Sequence, residues 1–447
     1  MLVLGVSLND IIVSVLYTLI ILLLTRILRS HLTTTTTRKY FIPFIFLKIV
    51  YAVLFVLLHS YYYEGGDTFL YFAGAKFIAS QIVHDPSRIF SFLFGELEAF
   101  QNIMYTGHSL AYAYRDPSTL TMFQITSVFY FLGMKQFMAT TILISSFSAI
   151  GVWSIFTVLC KLYPQAKKLF AFGTLFYPSL CIWGSGILKD TIILFAIGVM
   201  FKSFYKLRNK KLVIPSTIMI ILGCILCLNL KPYILYCFLP PMLMWQYNSI
   251  TGSLKNRILR YSVAPFILIT FLIAGYFFLT TISESAGKYS LSNVQEMAQG
   301  FQSWHNYLTE HRGQTGYSIG DVNYTPLGVL AKSPQAFFVT LYRPLLFEVS
   351  NLATAFESIQ STILLLSTLY LVLKIGFINI LRVIFKNTHV KTFLIFAIIM
   401  AVATGITSFN YGALSRYKIP ILPFYTAALA IIFYEGKKRK TKKLNAL

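Results

Sequence analysis

Long apolar runs separated by short polar or basic tracts recur along the whole chain. The runs near residues 11–28, 41–61, 187–205 and 391–410 approach the roughly 20 apolar residues that cross a hydrocarbon core as a helix. A β-barrel would instead show shorter segments of alternating polarity. The pattern therefore predicts an all-α, polytopic transmembrane protein with about 10–12 spans. These form a single integral membrane domain over residues 1–447.

The remaining apolar runs supply the other predicted spans. Residues 119–160 hold either one span and an interfacial piece or two tightly joined spans, with a break at Gly133-Met134-Lys135. Further runs lie at residues 169–183, 212–229, 233–247, 261–282, 356–381 and 419–434. These runs show no internal repeat of the kind that marks a transporter built from two related halves.

The distribution of charge indicates which partners the chain meets. The chain is 56% hydrophobic and 12% charged, yet its formal net charge is +23. Lys and Arg cluster in short tracts between apolar runs, such as residues 208–211 and 437–440, as expected for cytoplasmic loops beside anionic lipid. The basic surface is therefore expected to face membrane lipids and not nucleic acid. We expect the protein in the cytoplasmic (inner) membrane.

Charge also predicts the orientation of the loops. A first cytoplasmic loop is indicated by four basic residues, Arg26, Arg29, Arg38 and Lys39. The next loop, residues 62–118, then faces outside, and its segments 69–83 and 89–104 have the helical spacing of interfacial helices. A second outer loop is predicted at residues 283–335 and a basic cytoplasmic tail at residues 435–447. The second loop carries Trp304, His305, His311, Arg312 and Asp321.

Carboxylates are scarce, which directs attention to residues 64–67 (EGGD). The chain has 15 Asp and Glu against 38 Lys and Arg, and Glu64 and Asp67 stand at the outer mouth of the second span. Asp67 either caps an interfacial helix that starts near Thr68 or acts as a general base or metal ligand beside the lipid. The two glycines would let a substrate approach the backbone closely. We predict Asp67 as the catalytic residue, with Glu64 assisting.

A second group of ionisable residues follows a break in the helical pattern at residues 183–190 (WGSGILKD). Placing a charge inside the bilayer costs about 2.5–3.5 kcal/mol, so each ionisable residue there is expected to have a structural or functional role. Lys189 either snorkels or binds a phosphate, and Asp190 either caps the next helix or contributes to the same substrate site. Asp116 and Lys231, each followed by a proline, are predicted supporting residues.

Two later motifs carry the other candidate substrate-binding residues. Arg343 and Glu348 lie at the edge of a span and form either an internal ion pair or a site in which Arg343 holds a phosphate oxygen. Arg416 and Tyr417 either anchor the chain at the interface or bind an anionic ligand. If this loop faces outside, its cations are an exception to the positive-inside rule. That exception favours the alternative in which Arg416 and Tyr417 bind an anionic ligand.

Familiar soluble-enzyme motifs are missing from the sequence. No nucleotide-binding glycine loop, zinc spacing, Ser–His–Asp arrangement or kinase set is present. Cys224 and Cys227 form a C-x-x-C inside a run of Ile, Leu and Gly, where we expect two small apolar helix residues. The chemistry is therefore expected to use a donor already in the membrane.

The order of these motifs resembles the GT-C superfamily of membrane glycosyltransferases, and its dolichyl-phosphate-mannose mannosyltransferase-like branch in particular. Four features carry the resemblance: residues 66–71 (GDTFLY), interfacial helices followed by a Pro-started helix ending in Leu132-Gly133, residues 176–179 (FYPS) with Lys189-Asp190, and residues 416–423 (RYKIPILP). The resemblance implies transfer of a sugar from a polyprenyl-phosphate-linked donor to a glycan, lipid or protein acceptor at the outer face of the membrane. Such an enzyme would serve cell-surface glycan assembly.

The same resemblance implies roles for individual residues. The first-loop aspartate of the family is a catalytic base or a ligand of a divalent cation (Mg or Mn), and that role would fall on Asp67. Cations near the outer face bind the donor phosphate, which would involve Lys189, Arg343 and Arg416. Two alternatives stay open: an O-antigen or exopolysaccharide polymerase, and a flippase or transporter of lipid-linked sugars.

Overall fold

The computed structural model describes residues 5–95, 116–253, 296, 299–300, 302–304, 307, 316–320 and 322–444. Over these residues the regular structure is helical, apart from one isolated bridge between Gly316 and Asn410. The all-α prediction is therefore confirmed. The predicted run at 261–282, most of the loop at 283–335 and the second half of the segment 89–104 lie outside the described residues.

The described α-helices are numbered along the chain. The first eight are α1 (Leu8–Leu32), α2 (Arg38–Tyr61), α3 (Asp67–His84), α4 (Ile89–Phe94), α5 (Pro117–Leu132), α6 (Phe137–Leu162), α7 (Lys167–Phe170) and α8 (Pro178–Trp183). The others are α9 (Lys189–Arg208), α10 (Val213–Leu230), α11 (Pro232–Ser253), α12 (Pro326–Tyr342), α13 (Leu352–Ile375), α14 (Phe377–Lys386), α15 (Thr388–Thr407), α16 (Tyr411–Tyr417) and α17 (Leu422–Leu444).

Among the described residues, six helices are long and apolar enough to cross a membrane, namely α1, α2, α6, α10, α13 and α15. A seventh candidate is the pair of α16 with the first part of α17, which bends by 67° at the break between them. The polytopic character that the hydropathy pattern predicts is therefore confirmed. Other predicted runs form helices that are shorter or more charged: α5 has 16 residues, and α9 carries charge in its first and last turns.

The chain divides into two compact units, of which the first comprises Met1–Thr157, Leu180–Val199 and Ile221–Lys231. Within this unit α1 packs on α2, and α3 packs on α5. Gly74 of α3 lies directly against the ring of Phe123. Gly151 of α6 meets the backbone of Gly198 in α9. Small residues at these crossings allow the close helix approach that is common inside membranes.

The second unit comprises Val158–Ser179, Met200–Ile220 and Pro232–Leu447. Its central helix is α15, which packs against α11, α12 and α17. Aromatic rings interlock there in edge-to-face pairs, a geometry that the ring quadrupole favours. The rings belong to Phe201, Phe238, Phe393, Phe396 and Phe424.

Two predicted apolar runs are interrupted in the structure. The run 119–160 divides into α5 and α6 at the predicted break, where Met134 and Lys135 adopt φ values of 52° and 64°. The run 356–381 ends at Gly376, whose φ of 85° is favourable for glycine and stops α13. The chain after Gly376 begins the short helix α14. The break predicted at residues 133–135 is therefore present, whereas the predicted run 356–381 ends earlier than expected because Gly376 stops α13.

Candidate functional site

The acidic loop between α2 and α3 is the first candidate site. Gly66, with φ of 117°, occupies the N-cap position of α3, and Asp67 is the first residue of that helix. The alternative in which Asp67 itself caps the helix is therefore wrong by one position. Glu64 and Asp67 are both exposed. A carboxylate in the first turn is favoured by the positive end of the helix dipole.

A half-buried cation lies in the same unit. The Nζ atom of Lys189, at the start of α9, lies 2.7 Å from Ser118 Oγ, 3.2 Å from Thr119 Oγ1 and 3.5 Å from Asp116 Oδ2. The hydroxyl of Thr119 donates to Asp116 Oδ2 at 2.6 Å. We call these four residues the Lys189 cluster. The side chain of Lys189 is only 12% exposed and that of Asp116 is 27% exposed, so both are partly withdrawn from water.

Tyr71 connects the Lys189 cluster with the acidic loop. The Lys189 Nζ lies 5.8 Å from the centre of the Tyr71 ring, within the range of a cation–π contact. Tyr71 follows Asp67 by one helical turn on α3, and residues four apart lie on the same helix face with Cβ atoms about 5–6 Å apart. The candidate base and the candidate phosphate-binding lysine therefore belong to one region of the first unit.

Three helices begin in this region: α3 at Asp67, α5 at Pro117 and α9 at Lys189. Proline is well suited to the first position of α5, because its missing N–H would have no partner there. A helix N-terminus carries a partial positive charge and favours anions. The region thus combines one lysine, two hydroxyl groups and three helix starts, a set of groups suited to phosphate oxygens.

The start of α9 is held from its other side by a buried ion pair. The Nζ of Lys231 donates to Oδ1 of Asp190, and their side chains are 8% and 0% exposed. Sequence analysis selected both residues but did not pair them. Because Asp190 is adjacent to Lys189, this pair fixes the first turn of α9 and with it the direction of the Lys189 side chain.

Lys48 is a buried lysine that sequence analysis missed. It lies in the middle of α2, is fully buried, and donates from Nζ to the carbonyl oxygen of Gly184. Gly184 lies just past the end of α8, where carbonyl groups lack helical partners and a cation is favourable. A single lysine inside an otherwise apolar run was the available signal, since its insertion is costly without a buried acceptor.

Arg343 of the second unit forms an internal ion pair with Glu348. Its Nε donates to both oxygens of Glu348, at 2.8 and 3.0 Å, and Nη2 donates to Oε1. Glu348 also accepts hydrogen bonds from the Tyr411 hydroxyl at 2.6 Å and the Leu345 amide at 2.7 Å. Of the two alternatives that the sequence left open, the ion pair is present, and the Arg343 fork is directed at a carboxylate.

This network shifts the titration of both partners. Its hydrogen bonds to Glu348 raise the pKa of Arg343, against the opposing effect of burial. Burial by itself would raise the pKa of Glu348, but hydrogen bonds from Arg343 and Tyr411 outweigh it and lower that pKa below its usual 4.5. Glu348 therefore stays ionised and Arg343 stays protonated near pH 7, so that the two opposite charges form the ion pair.

The motif around Arg416 contains a second buried pair. The Nζ of Lys418, which is 1% exposed, lies 3.3 Å from Glu357 Oε2 and 3.3 Å from Ser361 Oγ on α13. Arg416 and Tyr417 are the last two residues of α16 and are partly buried. Lys418, which sequence analysis did not select, therefore forms a buried ion pair with Glu357.

Asp67 is the residue that the sequence analysis names as a candidate metal ligand. The described ranges contain no group of three His, Cys, Asp or Glu side chains that could hold a metal ion. Other carboxylates and histidines of the outer loops, namely Glu96, Glu98, His305, His311 and Asp321, lie outside those ranges.

The selected residues divide between the two units, and each set is described on its own. The first unit holds the larger set, which consists of Glu64, Asp67, Asp116, Lys189, Asp190 and Lys231. The second unit holds Arg343, Glu348, Arg416 and Tyr417. Ser118 and Thr119 are additional members that the Asp-Pro-Ser-Thr sequence at a helix start could have indicated. Comparisons of the chain with protein-family models, with curated proteins and with solved structures found no match.

Proposed function

We propose that this chain is a membrane glycosyltransferase that moves a sugar from a polyprenyl-phosphate-linked donor to an acceptor at the outer face of the cytoplasmic membrane. One observation carries the proposal: the half-buried Lys189, which contacts Ser118 and Thr119, lies 5.8 Å from the ring of Tyr71. Tyr71 follows the exposed Asp67 by one turn of α3. A general base next to a phosphate-binding group is what such a transfer requires.

The proposed reaction has a simple balance. The acceptor hydroxyl attacks the anomeric carbon of the donor, and the bond from that carbon to the phosphate oxygen breaks. Asp67 takes the proton of the hydroxyl, and the departing phosphate keeps the electron pair of the broken bond. Lys189 and the two hydroxyl groups stabilise the negative charge that develops on the phosphate. An oxocarbenium-like transition state makes departure of the phosphate the demanding step.

The surroundings of Lys189 favour this role over simple snorkelling. A snorkelling lysine extends its ammonium group into water, whereas the Lys189 side chain is 12% exposed and contacts two hydroxyls and a carboxylate. The buried Asp190–Lys231 pair beside it keeps the backbone of α9 in place. A phosphate would add charge-assisted hydrogen bonds to groups that are already oriented.

The test uses membrane vesicles with a radiolabelled polyprenyl-phosphate sugar and measures formation of the glycosidic product. Asp67→Asn should lower the turnover rate by about 10²–10⁴-fold, the usual contribution of a general base. Asp85→Asn is the matched control, because it removes a carboxylate at the far end of α3, outside the Lys189 cluster. Near-normal transfer by Asp67→Asn, with membrane insertion intact, would contradict the proposal.

A second candidate function is movement of a lipid-linked sugar across the membrane. The observation that favours it is the pair of broken helices, at residues 184–188 between α8 and α9 and at the 67° bend between α16 and α17. Discontinuous helices are typical of transporter binding sites. The vesicle assay separates the two functions, because a flippase would move labelled lipid without forming a glycosidic bond.

A further inference from the structure

A cavity of about 300 Å³ lies in the second unit, lined by charged and hydrogen-bonding side chains. Its cations are Arg208 at the end of α9, Lys386 at the end of α14 and Arg439 in α17. Glu435 and His389 also line it. We call this cavity the basic pocket. None of these residues belongs to the Lys189 cluster, so the inference is independent of the proposed function.

The charge of the basic pocket is not balanced internally. Among the described lining residues, three cations face one carboxylate, that of Glu435. Within the described part of the chain, Lys386 and Arg439 form no salt bridge. Arg208 donates to the carbonyl oxygen of Trp245 at 3.0 Å and stacks on its ring at 5.3 Å. Those contacts hold the guanidinium in place without cancelling its charge.

Uncharged side chains of the basic pocket orient a hydrogen-bond donor on His389. Asn387 Nδ2 donates to the Tyr163 hydroxyl at 2.7 Å, and that hydroxyl lies 2.9 Å from His389 Nδ1. With Asn387 donating to it, the hydroxyl gives its own proton to Nδ1, which leaves the ring hydrogen on Nε2. Within the described residues, His389 Nε2 is buried without a hydrogen-bond partner. A ligand oxygen would satisfy it.

The helix that carries Lys386 indicates the depth of the basic pocket in the membrane. On α14, Phe377, Ile378 and Phe385 are 64%, 64% and 70% exposed, and Arg382 and Lys386 lie one turn apart along the edge of this apolar side. An exposed apolar side next to a basic one is the pattern of a helix lying in the lipid interface. Lys386 is therefore expected at the same depth in the membrane as the lipid phosphate groups.

We propose that the basic pocket binds a phosphate group, carried by either an anionic lipid headgroup or a soluble phosphate compound. Lys386, Arg439 and Arg208 supply the charge, and His389 Nε2 supplies a neutral donor. The start of α15, a helix of 20 residues capped by Asn387, adds a favourable dipole. Basic pockets between membrane helices commonly bind phosphate headgroups in this way.

The test measures thermal stabilisation of the purified full chain by dioctanoyl phosphatidic acid, dioctanoyl phosphatidylcholine and inorganic phosphate. The double variant Lys386→Gln with Arg439→Gln should need about 30-fold more phosphatidic acid for half-maximal stabilisation, because each cation contributes about a factor of five. Arg382→Gln is the matched control, since it removes a cation one turn away on the same helix without altering the basic pocket. It should respond like the parent.

A gain-of-binding variant excludes misfolding as the explanation. Glu435→Gln removes the carboxylate that lines the described part of the basic pocket and should tighten phosphatidic acid binding by about fivefold. Stabilisation by phosphatidic acid alone assigns the phosphate to a lipid, and equal competition by inorganic phosphate assigns it to a soluble compound. Equal responses of the parent and the double variant, or equal stabilisation by phosphatidylcholine, would overturn the proposal.

Discussion

The Nζ atom of Lys189 lies 3.5 Å from Oδ2 of Asp116, a residue 73 positions earlier in the chain. The contact joins the start of α9 to the start of α5, and the hydroxyls of Ser118 and Thr119 lie between the two charged groups. Both charges are partly withdrawn from water, so an anionic ligand would compete with Asp116 for the lysine. The Lys189 cluster thus sets the strength of donor binding in the proposed reaction.

Replacement of Lys189 by Gln should weaken donor binding. The variant loses a charge-assisted contact worth about 1.5–3 kcal/mol, so the KM for the lipid-linked sugar should rise by roughly 10–100-fold. Lys189→Arg keeps the charge and should recover part of that loss. Initial rates in vesicles, measured over a range of donor concentrations, check the expectation.

The matched control for this variant is Lys76→Gln, which replaces an exposed lysine on α3 in the same unit. It removes the same charge without touching the Lys189 cluster and should leave the KM unchanged. If both variants raised the KM equally, general surface charge and not the Lys189 site would attract the donor.

The Arg343–Glu348 pair should make the second unit sensitive to acid. Because the folded protein lowers the pKa of Glu348, the stabilisation from this carboxylate is complete above its unfolded value of 4.5. It is lost as the pH falls through the lower folded value. Glu348→Gln should therefore melt about 2 °C below the parent at pH 7, with a smaller difference at pH 3.5.

The measurement for this prediction is thermal unfolding at pH 7 and pH 3.5 followed by far-ultraviolet circular dichroism, since the helices give a signal at both pH values. Glu64→Gln is a suitable control because Glu64 is exposed. A stability difference between the Glu348 variant and the parent that grew on acidification would contradict the assigned direction of the pKa shift.

Helices and span character could be predicted from the sequence because apolar periodicity and length report directly on burial in lipid. The run 41–61 became α2 (Arg38–Tyr61), and the break at residues 133–135 appears between α5 and α6. The end of α13 at Gly376 could not be predicted in the same way, because apolar residues continue beyond it. One residue in a left-handed conformation decided that boundary.

The partners of charged residues could not be predicted, because pairing depends on tertiary contacts between distant segments. Asp190 and Lys231 are 41 residues apart, and Lys418 reaches Glu357 on another helix. Arg343 and Glu348 are the exception, since five residues separate them and the pair was foreseen as an alternative. Lys48 shows the general case: a buried lysine signals a partner, but only the fold identifies the carbonyl of Gly184.

Removing one partner of the buried Glu357–Lys418 pair should destabilise the fold strongly, whereas replacing both partners with apolar residues should destabilise it little. Glu357→Gln leaves Lys418 buried without its carboxylate, which should destabilise the chain by about 3–5 kcal/mol. The double change Glu357→Leu with Lys418→Met removes both charges and should recover most of that loss. Thermal unfolding of the three proteins checks this, and a double variant as unstable as Glu357→Gln would show that the pair contributes more than mutual neutralisation.

Gly198 should tolerate no side chain, because it lies at the crossing of α9 with α6. A Cβ atom added there would lie 2.0 Å from the carbonyl oxygen of Gly151 and 2.3 Å from its carbonyl carbon. Backbone atoms cannot change rotamer to make room, so Gly198→Ala must separate the two helices. Overpacking costs about 1–3 kcal/mol even where side chains can adjust, and we expect a loss at the upper end of that range.

The same crossing positions the Lys189 cluster, since Lys189 lies on α9 nine residues before Gly198. Gly198→Ala should therefore lower both the melting temperature and the affinity for the lipid-linked donor. Gly5→Ala is the matched control, because a Cβ there has no heavy atom within 4 Å. Parental stability of Gly198→Ala would mean that α6 and α9 can separate at little cost, and the close backbone contact would then not hold α9 in place.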